Sequence, residues 1–228
     1  MFPWAYNTQA SATKIISYSN NASTVALETV DVVVGTGGTA LGTADGTTTN
    51  LNHTYRLRYG SNNWKESAIR QYLNSSAAAG SVWRPQTKFD RAPSWTATTA
   101  GFMSKLPDDF VGVVKPVALP TVTNSVYEVA DQKNSSYVTS DRFWLPSRYQ
   151  IFGTTEGATV SEEQFAYFVG AADVDRIKYD TTGAAWYWWL RSPNVGYTYD
   201  VRLVATSGVL SDGIAYYGCA VAPACVIY

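Results

Sequence analysis

The feature that most constrains the fold is a series of four short β-type runs after Asp180. The runs occupy 186–190, 199–204, 209–210 and 220–227. Between them lie Ser192-Pro193-Asn194, Thr206-Ser207-Gly208 and Ser211-Asp212-Gly213, which are made of the residue types that favour turns. Short strands joined by short turns usually pair with their sequence neighbours, so this region predicts a terminal β-meander.

Two helices are predicted before the meander. The first spans 63–73 and has apolar side chains at helical spacing on one side: Trp64, Ala68, Ile69, Tyr72 and Leu73. The second begins at Ser161, where Gln164 completes a capping box, and ends at Gly170. Short apolar runs at 110–114 and 143–145 lie in the irregular region between them. This order of elements indicates an α+β domain.

The first fifty residues differ from the rest in being rich in Thr, Ala, Asn, Gly and Ser. They contain strand-like stretches at 14–18 and 24–34, and the second ends in the breaker Gly35-Thr36-Gly37-Gly38. We therefore predict that 1–50 is a β-rich N-terminal arm, serving oligomerisation or attachment. The remainder, 51–228, is predicted to be one domain, a length that can bury a sizeable core.

Residues 193–228 contain no Lys, Glu, Gln, Met or Trp, although the preceding 192 residues contain 29 of them. A uniform composition would place roughly five in this tail. An Asn codon whose two adenines are randomised can encode every residue type found in the tail and none of the five missing types. Buried strands also disfavour most of the missing types, so codon diversification and strand burial both remain open as explanations.

Charge and hydropathy exclude several classes of partner. Charged residues make up 15% of the chain and the formal net charge is −1, with no basic stripe, so nucleic acid is a poor partner. No apolar segment is long enough for membrane insertion. The N-terminus lacks the basic start and apolar run of a secretory signal, which indicates a protein that stays in the cytoplasm or leaves by another route. A virion component released by lysis would fit.

The sequence points to no catalytic residue, metal or cofactor. His53 is the only histidine and has no cysteine or second histidine near it. The adjacent acids Asp108-Asp109 and Glu162-Glu163 fit a turn and a helix start, respectively. A glycosidase pair of carboxylates brought together from distant strands stays open, although nothing in the sequence indicates one. Cys225 lies in an apolar run and is predicted to be buried, with Cys219 the more exposed thiol. Arg191 is predicted to pin the meander in a buried network, with ligand binding as the alternative.

Several segments together resemble one known family. They are 58–64, 67–75, 90–95, 101–103, the Phe143-Trp144-Leu145-Pro146-Ser147 run, the most specific Trp188-Trp189-Leu190-Arg191-Ser192-Pro193 run, and the closing Val221-Ala222-Pro223-Ala224-Cys225. Over about residues 55–228 the chain is similar to the C-type-lectin-fold variable proteins of phages and prophages, which retroelements diversify. The resemblance implies a C-type lectin-like fold. Lectins of this fold bind sugar through calcium held by triplets that this sequence lacks, so a calcium site is not expected.

The resemblance also implies which residues vary and display a ligand-binding surface within 194–219. They are Asn194, Tyr197, Tyr199, Asp200, Leu203, Ala205, Val209, Asp212, Gly213, Ile214, Tyr217, Gly218 and Cys219. The framework between them would be Val204, Thr206, Ser207, Gly208, Leu210, Ala215, Val221, Ala222 and Pro223, supported by a fixed platform of Trp186, Trp188, Trp189 and Leu190. Ala220 departs from the glycine usual in the family, which leaves the boundary of the variable stretch less certain.

The function implied is that of a non-enzymatic display protein on a phage or prophage virion, or alternatively on a bacterial cell surface. It would act in receptor binding and host adhesion, as a tail-fibre or decoration protein, with a host-surface protein or glycan as ligand. Other virion proteins would be partners, and a homo-oligomer is expected, a trimer by analogy. Two alternatives remain: a formylglycine-generating type of enzyme fold with lost or unrecognised activity, and an invariant structural module.

Overall fold

A computed structural model describes residues 2–3, 62–84, 93–122, 136–157, 160–196, 200–215 and 217–227. Within them the fold is α+β, with small antiparallel sheets and short helices. The strands predicted at 14–18 and 24–34, the boundary predicted near residue 50, and His53 lie outside the described residues. None of the helices in the described ranges has the length and apolar character needed to cross a bilayer.

The predicted first helix is confirmed, but it is interrupted at Ser67. A 3-10 turn, Trp64–Glu66, precedes helix α1, Ala68–Leu73. The Ser67 hydroxyl accepts the backbone N–H of Arg70 at 3.0 Å and so caps the α-helix, whereas the Asn63 side chain caps the 3-10 turn by accepting the N–H of Lys65 at 3.1 Å. The predicted apolar side packs into the core, and all five of its side chains are buried.

The second predicted helix, from Ser161 to Gly170, is wrong. The capping box lies instead at Ser147 and Gln150, which begin helix α3, Arg148–Phe152, after helix α2, Asp108–Val113. From residue 161 the chain is irregular, apart from a 3-10 turn at Ala166–Phe168. The reason is tertiary: the Glu162 carboxylate accepts a hydrogen bond from the Ser147 hydroxyl at 2.6 Å instead of supporting a helix start.

The remaining strands form two-stranded antiparallel pairs. They are β1 (Phe2–Pro3) with β10 (Gly218–Cys219), β2 (Val114–Lys115) with β11 (Val226–Ile227), β3 (Val117–Val122) with β4 (Ser136–Asp141), and β5 (Lys178–Tyr179) with β6 (Ala185–Trp186). The run predicted at 220–227 is therefore a strand only at its end, and isolated bridges hold Ala220 to Trp188 and Ala224 to Trp144.

The terminal meander is confirmed as the three-stranded antiparallel sheet of β7 (Trp188–Pro193), β8 (Asp200–Val204) and β9 (Leu210–Ile214). The turn at 206–208 is confirmed. Two other predicted turns are wrong, because Ser192 and Pro193 extend β7 while residues 211–213 belong to β9. Pairing with β8 overrides the turn preference of those residues, since Arg202 faces Asp212 and Val201 faces Gly213 in the register.

The meander separates two apolar cores. On one side Trp189, Val201 and Leu203 join the larger core, which includes Trp64, Leu73 and Phe143. On the other side Trp188, Leu190 and Val204 join the smaller core with Ile151 and Phe168. This division follows from the alternation of side chains along a strand. Trp188, Trp189 and Leu190 are 1%, 0% and 0% exposed, so three of the four residues of the predicted platform are buried, whereas Trp186 is half-buried.

Candidate functional site

The register of the meander places three charged side chains and one apolar side chain together on one side of β8 and β9. Asp200 faces Ile214, and Arg202 faces Asp212. Val204 lies on the same side of β8, but it is covered by the smaller core. Beyond it, Asp200, Arg202 and Ile214 are half-buried and Asp212 is exposed. We call Asp200, Arg202, Asp212 and Ile214 the charged face.

Arg202 is held in place by two carboxylates. Its Nε and Nη2 each donate to an oxygen of Glu156 at 2.8 Å, and its Nη1 donates to Oδ1 of Asp212, also at 2.8 Å. Glu156 is nearly fully buried and accepts a further bond from Nη1 of Arg148 at 2.6 Å. Bidentate contacts such as that between Arg202 and Glu156 fix both the position and the orientation of a guanidinium.

The ionisation of Glu156 reflects those partners. Burial by itself would raise the pKa of this carboxyl group, but the hydrogen bonds from Arg202 and Arg148 and their positive charges hold the pKa below its ordinary value. Glu156 is therefore a carboxylate at neutral pH. It acts as the shared counter-ion of both arginines.

Asp200 has the opposite environment. Burial and the nearby charge of Asp212 raise the pKa of the Asp200 carboxyl group to about 6, and Arg202 only partly opposes them. Within the described ranges, the Asp200 carboxylate takes part in no hydrogen bond or ion pair. Among the residues that the structure describes, the Asp200 carboxylate thus has no direct partner for its charge.

Side chains from distant parts of the sequence hold the connection between β7 and β8 at both ends. The backbone N–H of Asn194 donates to the carbonyl of Asp200 at 2.8 Å. Nδ2 of Asn62 donates to the carbonyls of Asn194, at 3.2 Å, and Asp200, at 2.9 Å. On the Asn194 side, the N–H of Val195 donates to Glu156 at 3.3 Å. Asn62 and Glu156 therefore fix where this connection leaves and rejoins the sheet.

The turn between β8 and β9 is also fixed from outside. The N–H of Ala205 donates to the carbonyl of Val209 at 2.9 Å. Gly208 has φ +85°, and a Cβ built there would overlap the carbonyl oxygen of Asp173. Only glycine satisfies both conditions. The turn is thereby docked on the 3-10 helix Asp173–Arg176, with Val209 41% exposed.

The structure sorts the predicted ligand-binding residues into three groups. Those at least partly accessible are Asp200, Ala205, Val209, Asp212, Gly213, Ile214, Tyr217 and Gly218. Those buried are Asn194, Leu203 and Cys219. Tyr197 and Tyr199 lie outside the described residues. Of the accessible group, Asp200, Asp212 and Ile214 lie together on the charged face, and the exposed Tyr217 follows in the turn after β9, where its N–H donates to the carbonyl of Ile214 at 2.8 Å.

Four of these residues cannot display a side chain as predicted. Leu203 points into the larger core, and a Cβ on Gly213 would come within 3.1 Å of Leu203 and 3.3 Å of Trp189. Both lie on the opposite side of the sheet from the charged face because side chains alternate along a strand. The Asn194 side chain turns back to accept the N–H of Gly196 at 3.1 Å. Cys219 packs into the larger core.

The predicted exposure of the two cysteines is reversed. Cys219 is 5% exposed, whereas Cys225 is half-buried. Burial raises the pKa of the Cys219 thiol to about 12 and also raises the pKa of Cys225. Both are therefore protonated thiols at neutral pH. The reversal arises because Cys219 belongs to the larger core, whereas Cys225 packs only against its edge.

Sequence reasoning missed Arg202, Glu156, Arg148 and Asn62. One signal could have identified Arg202, which is the only Lys or Arg in residues 193–228. No local signal identifies its partner, because Glu156 lies 46 residues away. Asn62 is still more remote, at 138 residues from Asp200.

Arg191 has the structural role predicted for it. The side chain is fully buried and forms an ion pair with Glu162. Its Nη1 donates to the carbonyl of Leu145 at 3.2 Å and to Oε1 of Gln150 at 2.7 Å. The described side chains include no group of three or more His, Cys, Asp or Glu arranged to hold a metal ion.

Comparison with known proteins adds a family but no characterised relative. A comparison with curated proteins found no match, and a comparison with solved structures found none. One family model matches residues 35–228, a span that contains both cores, the charged face and Asn62. It begins within the predicted arm rather than at its end. The chain belongs to this family, a domain of unknown function (DUF6273).

Proposed function

We propose that this chain is a non-enzymatic display protein with a C-type lectin-like domain, which binds a host-surface ligand on a phage or prophage virion and is diversified by a retroelement. The observation that carries the proposal is the separation between display and support. Asp200, Asp212 and Ile214 lie on one face, and the residues that fix this face, Asn62 and Glu156, lie outside the predicted variable stretch.

A diversified surface needs a backbone whose path does not depend on the side chains displayed. Several predicted framework positions meet that requirement. Val204 and Ala215 are 0% exposed, and Gly208 is required by the turn. Trp188 and Trp189 point from β7 into the cores on opposite sides of the sheet. Such a rigid scaffold carrying adaptable surface residues is the arrangement used by antibody binding sites.

The burial and raised pKa of the cysteines favour a non-enzymatic function over that of an oxidase of the formylglycine-generating type. That chemistry uses reactive, accessible thiols. Cys219 is buried and its pKa is raised to about 12, and burial also raises the pKa of the half-buried Cys225, so the reactive thiolate of either is scarce at neutral pH.

Two matched variants test the display proposal. The first replaces the accessible positions Asp200, Ala205, Val209, Asp212, Ile214 and Tyr217 by Ser. The second replaces only the buried positions Asn194, Leu203 and Cys219 by Ser. We expect the first variant to fold with a Tm close to the parent. The second should lose about 4–20 °C, since truncating one core Leu costs about 2–5 kcal/mol and each kcal/mol shifts Tm by about 2–4 °C in a domain of this size.

The display proposal fails if the accessible set destabilises the protein as much as the buried set. A gene-level observation tests diversification separately. A reverse transcriptase gene beside this one, together with a near-repeat of its 3′ coding end that differs at adenines, is the expected finding. If the neighbourhood contains neither, the chain is an invariant binding or structural module.

A further inference from the structure

We infer that the charged face of this chain recognises a protein ligand through a basic side chain, Lys or Arg, that pairs with Asp200. This inference rests on the proposed display function and names the class of ligand for the same site. The supporting facts are the charges of the face, the burial of Asp200 and the side chains beside it.

The ionised side chains around the charged face carry one more negative charge than positive charges. The network contains three carboxylates, on Glu156, Asp200 and Asp212, and two guanidiniums, on Arg148 and Arg202. Glu156 is shared by both arginines, and Arg202 also binds Asp212. Asp200 is the carboxylate left over. Within the described part of the chain its charge is opposed only at a distance, by Arg202.

The ionised form of Asp200 is destabilised by its surroundings. A half-buried carboxylate beside a second negative charge is destabilised in its ionised form, and a cation placed against it relieves both effects. The raised pKa of Asp200 agrees with a carboxylate that lacks a cation. Arg202 does not supply this cation, because Nε and Nη2 bond to Glu156 and Nη1 bonds to Asp212, and none of them bonds to Asp200.

The neighbours of Asp200 suit a ligand side chain with an apolar stem. Ile214 lies directly across from Asp200 in the register, and Tyr217, 48% exposed, follows Ile214 through a turn. Lys and Arg combine a long apolar stem with a charged end. The stem can lie along Ile214 and Tyr217 while the charged end reaches Asp200. A metal ion fits less well, because the described residues include no group of three acidic, His or Cys side chains arranged to hold one, and Glu156 is bound by the two arginines.

The test is a selection of random linear peptides against the folded chain in buffer containing EDTA. Peptides that bind at the charged face are those whose binding is lost in Ile214→Ser and Tyr217→Ala. We expect these peptides to share a Lys or Arg, and Asp200→Asn to weaken their binding roughly fivefold or more. The control Asp108→Asn removes the same charge from α2 and should leave binding unchanged. Thermal unfolding confirms that each variant is folded.

A charge exchange sharpens the result. A selected peptide with its basic residue replaced by Glu should bind Asp200→Lys better than it binds the parent chain, because the ion pair is restored with reversed signs. The inference is overturned if peptides bind the face without an enriched basic residue, if Asp200→Asn binds them as well as the parent does, or if binding appears only when calcium is added. Those results leave the display proposal standing. If no selected peptide responds to Ile214→Ser or Tyr217→Ala, the display proposal itself fails.

Discussion

The substitution Glu156→Gln should destabilise the protein and alter its response to acid. The Glu156 side chain is 3% exposed and is the counter-ion of Arg148 and Arg202. Gln keeps the size of the side chain but loses the charge and one of the two acceptor oxygens. Arg148 and Arg202 would then lie partly buried, at 23% and 18% exposure, without their shared partner.

The magnitude follows from burial. Removing one partner of a fully buried ion pair costs about 3–5 kcal/mol. Both arginines retain some contact with water and Arg202 keeps Asp212, so we discount this to about 2–3 kcal/mol. In a domain of this size that free energy corresponds to a fall in Tm of about 4–12 °C. The N–H of Val195 also loses a carboxylate acceptor, so its hydrogen exchange should become faster.

The pH dependence gives an independent check. The folded-state pKa of Glu156 lies below its ordinary value. Its stabilising contribution is therefore fully present above the unfolded pKa, near about 4.3, and is lost as pH falls through the folded pKa. The parent protein should lose stability below about pH 4.5 more steeply than Glu156→Gln does, because the variant lacks that titration.

The assay is thermal and urea unfolding from pH 3 to pH 8, with Glu163→Gln as the control. Glu163 is an exposed neighbour in the sequence and should behave like the parent. If Glu156→Gln leaves both Tm and the acid slope unchanged, the ion network does not support the sheet and the reasoning is refuted.

Three further predictions follow. Trp189→Ala should cost about 3–5 kcal/mol and lead to unfolding or aggregation, checked by circular dichroism and size exclusion. Gly208→Ala should lower Tm by several degrees because of the positive φ and the overlap with Asp173, and an unchanged Tm would contradict the docked turn. The raised folded pKa of Asp200 lowers stability as pH rises from about 4 to above 6, so Asp200→Asn should raise Tm at pH 7 but not at pH 4.

The sequence predicted those parts of the fold in which a local pattern and the tertiary structure agree. The apolar spacing around Ile69 gave a helix, and the tryptophans before Arg191 gave a buried platform. The prediction failed at Ser161, where a good capping pattern is overridden by the contact of Glu162 with Ser147. A capping box is worth too little to compete with a buried ion network.

The candidate site was predicted in part for a similar reason. Asp200, Asp212 and Ile214 lie on one side of the sheet, as their alternation with framework positions along two strands predicted. Leu203 and Gly213 were assigned to the wrong side, since a pattern of interleaving does not reveal which residues face a core when each side of the sheet contributes to one. The partners of Arg202 depend on long-range contacts that only the folded chain brings together.

The position of the meander between two cores has a consequence for biosynthesis. Each core contains residues that the ribosome makes early, such as Trp64 or Ile151, together with residues of β7 and β8 that it makes late. Neither core can be completed until the meander has left the ribosome, so both form in the last stage of folding. A domain completed by its final strands exposes apolar surface until then, and chaperones act on such intermediates. A substitution in β7 or β8 therefore acts on the step of folding at which both cores close.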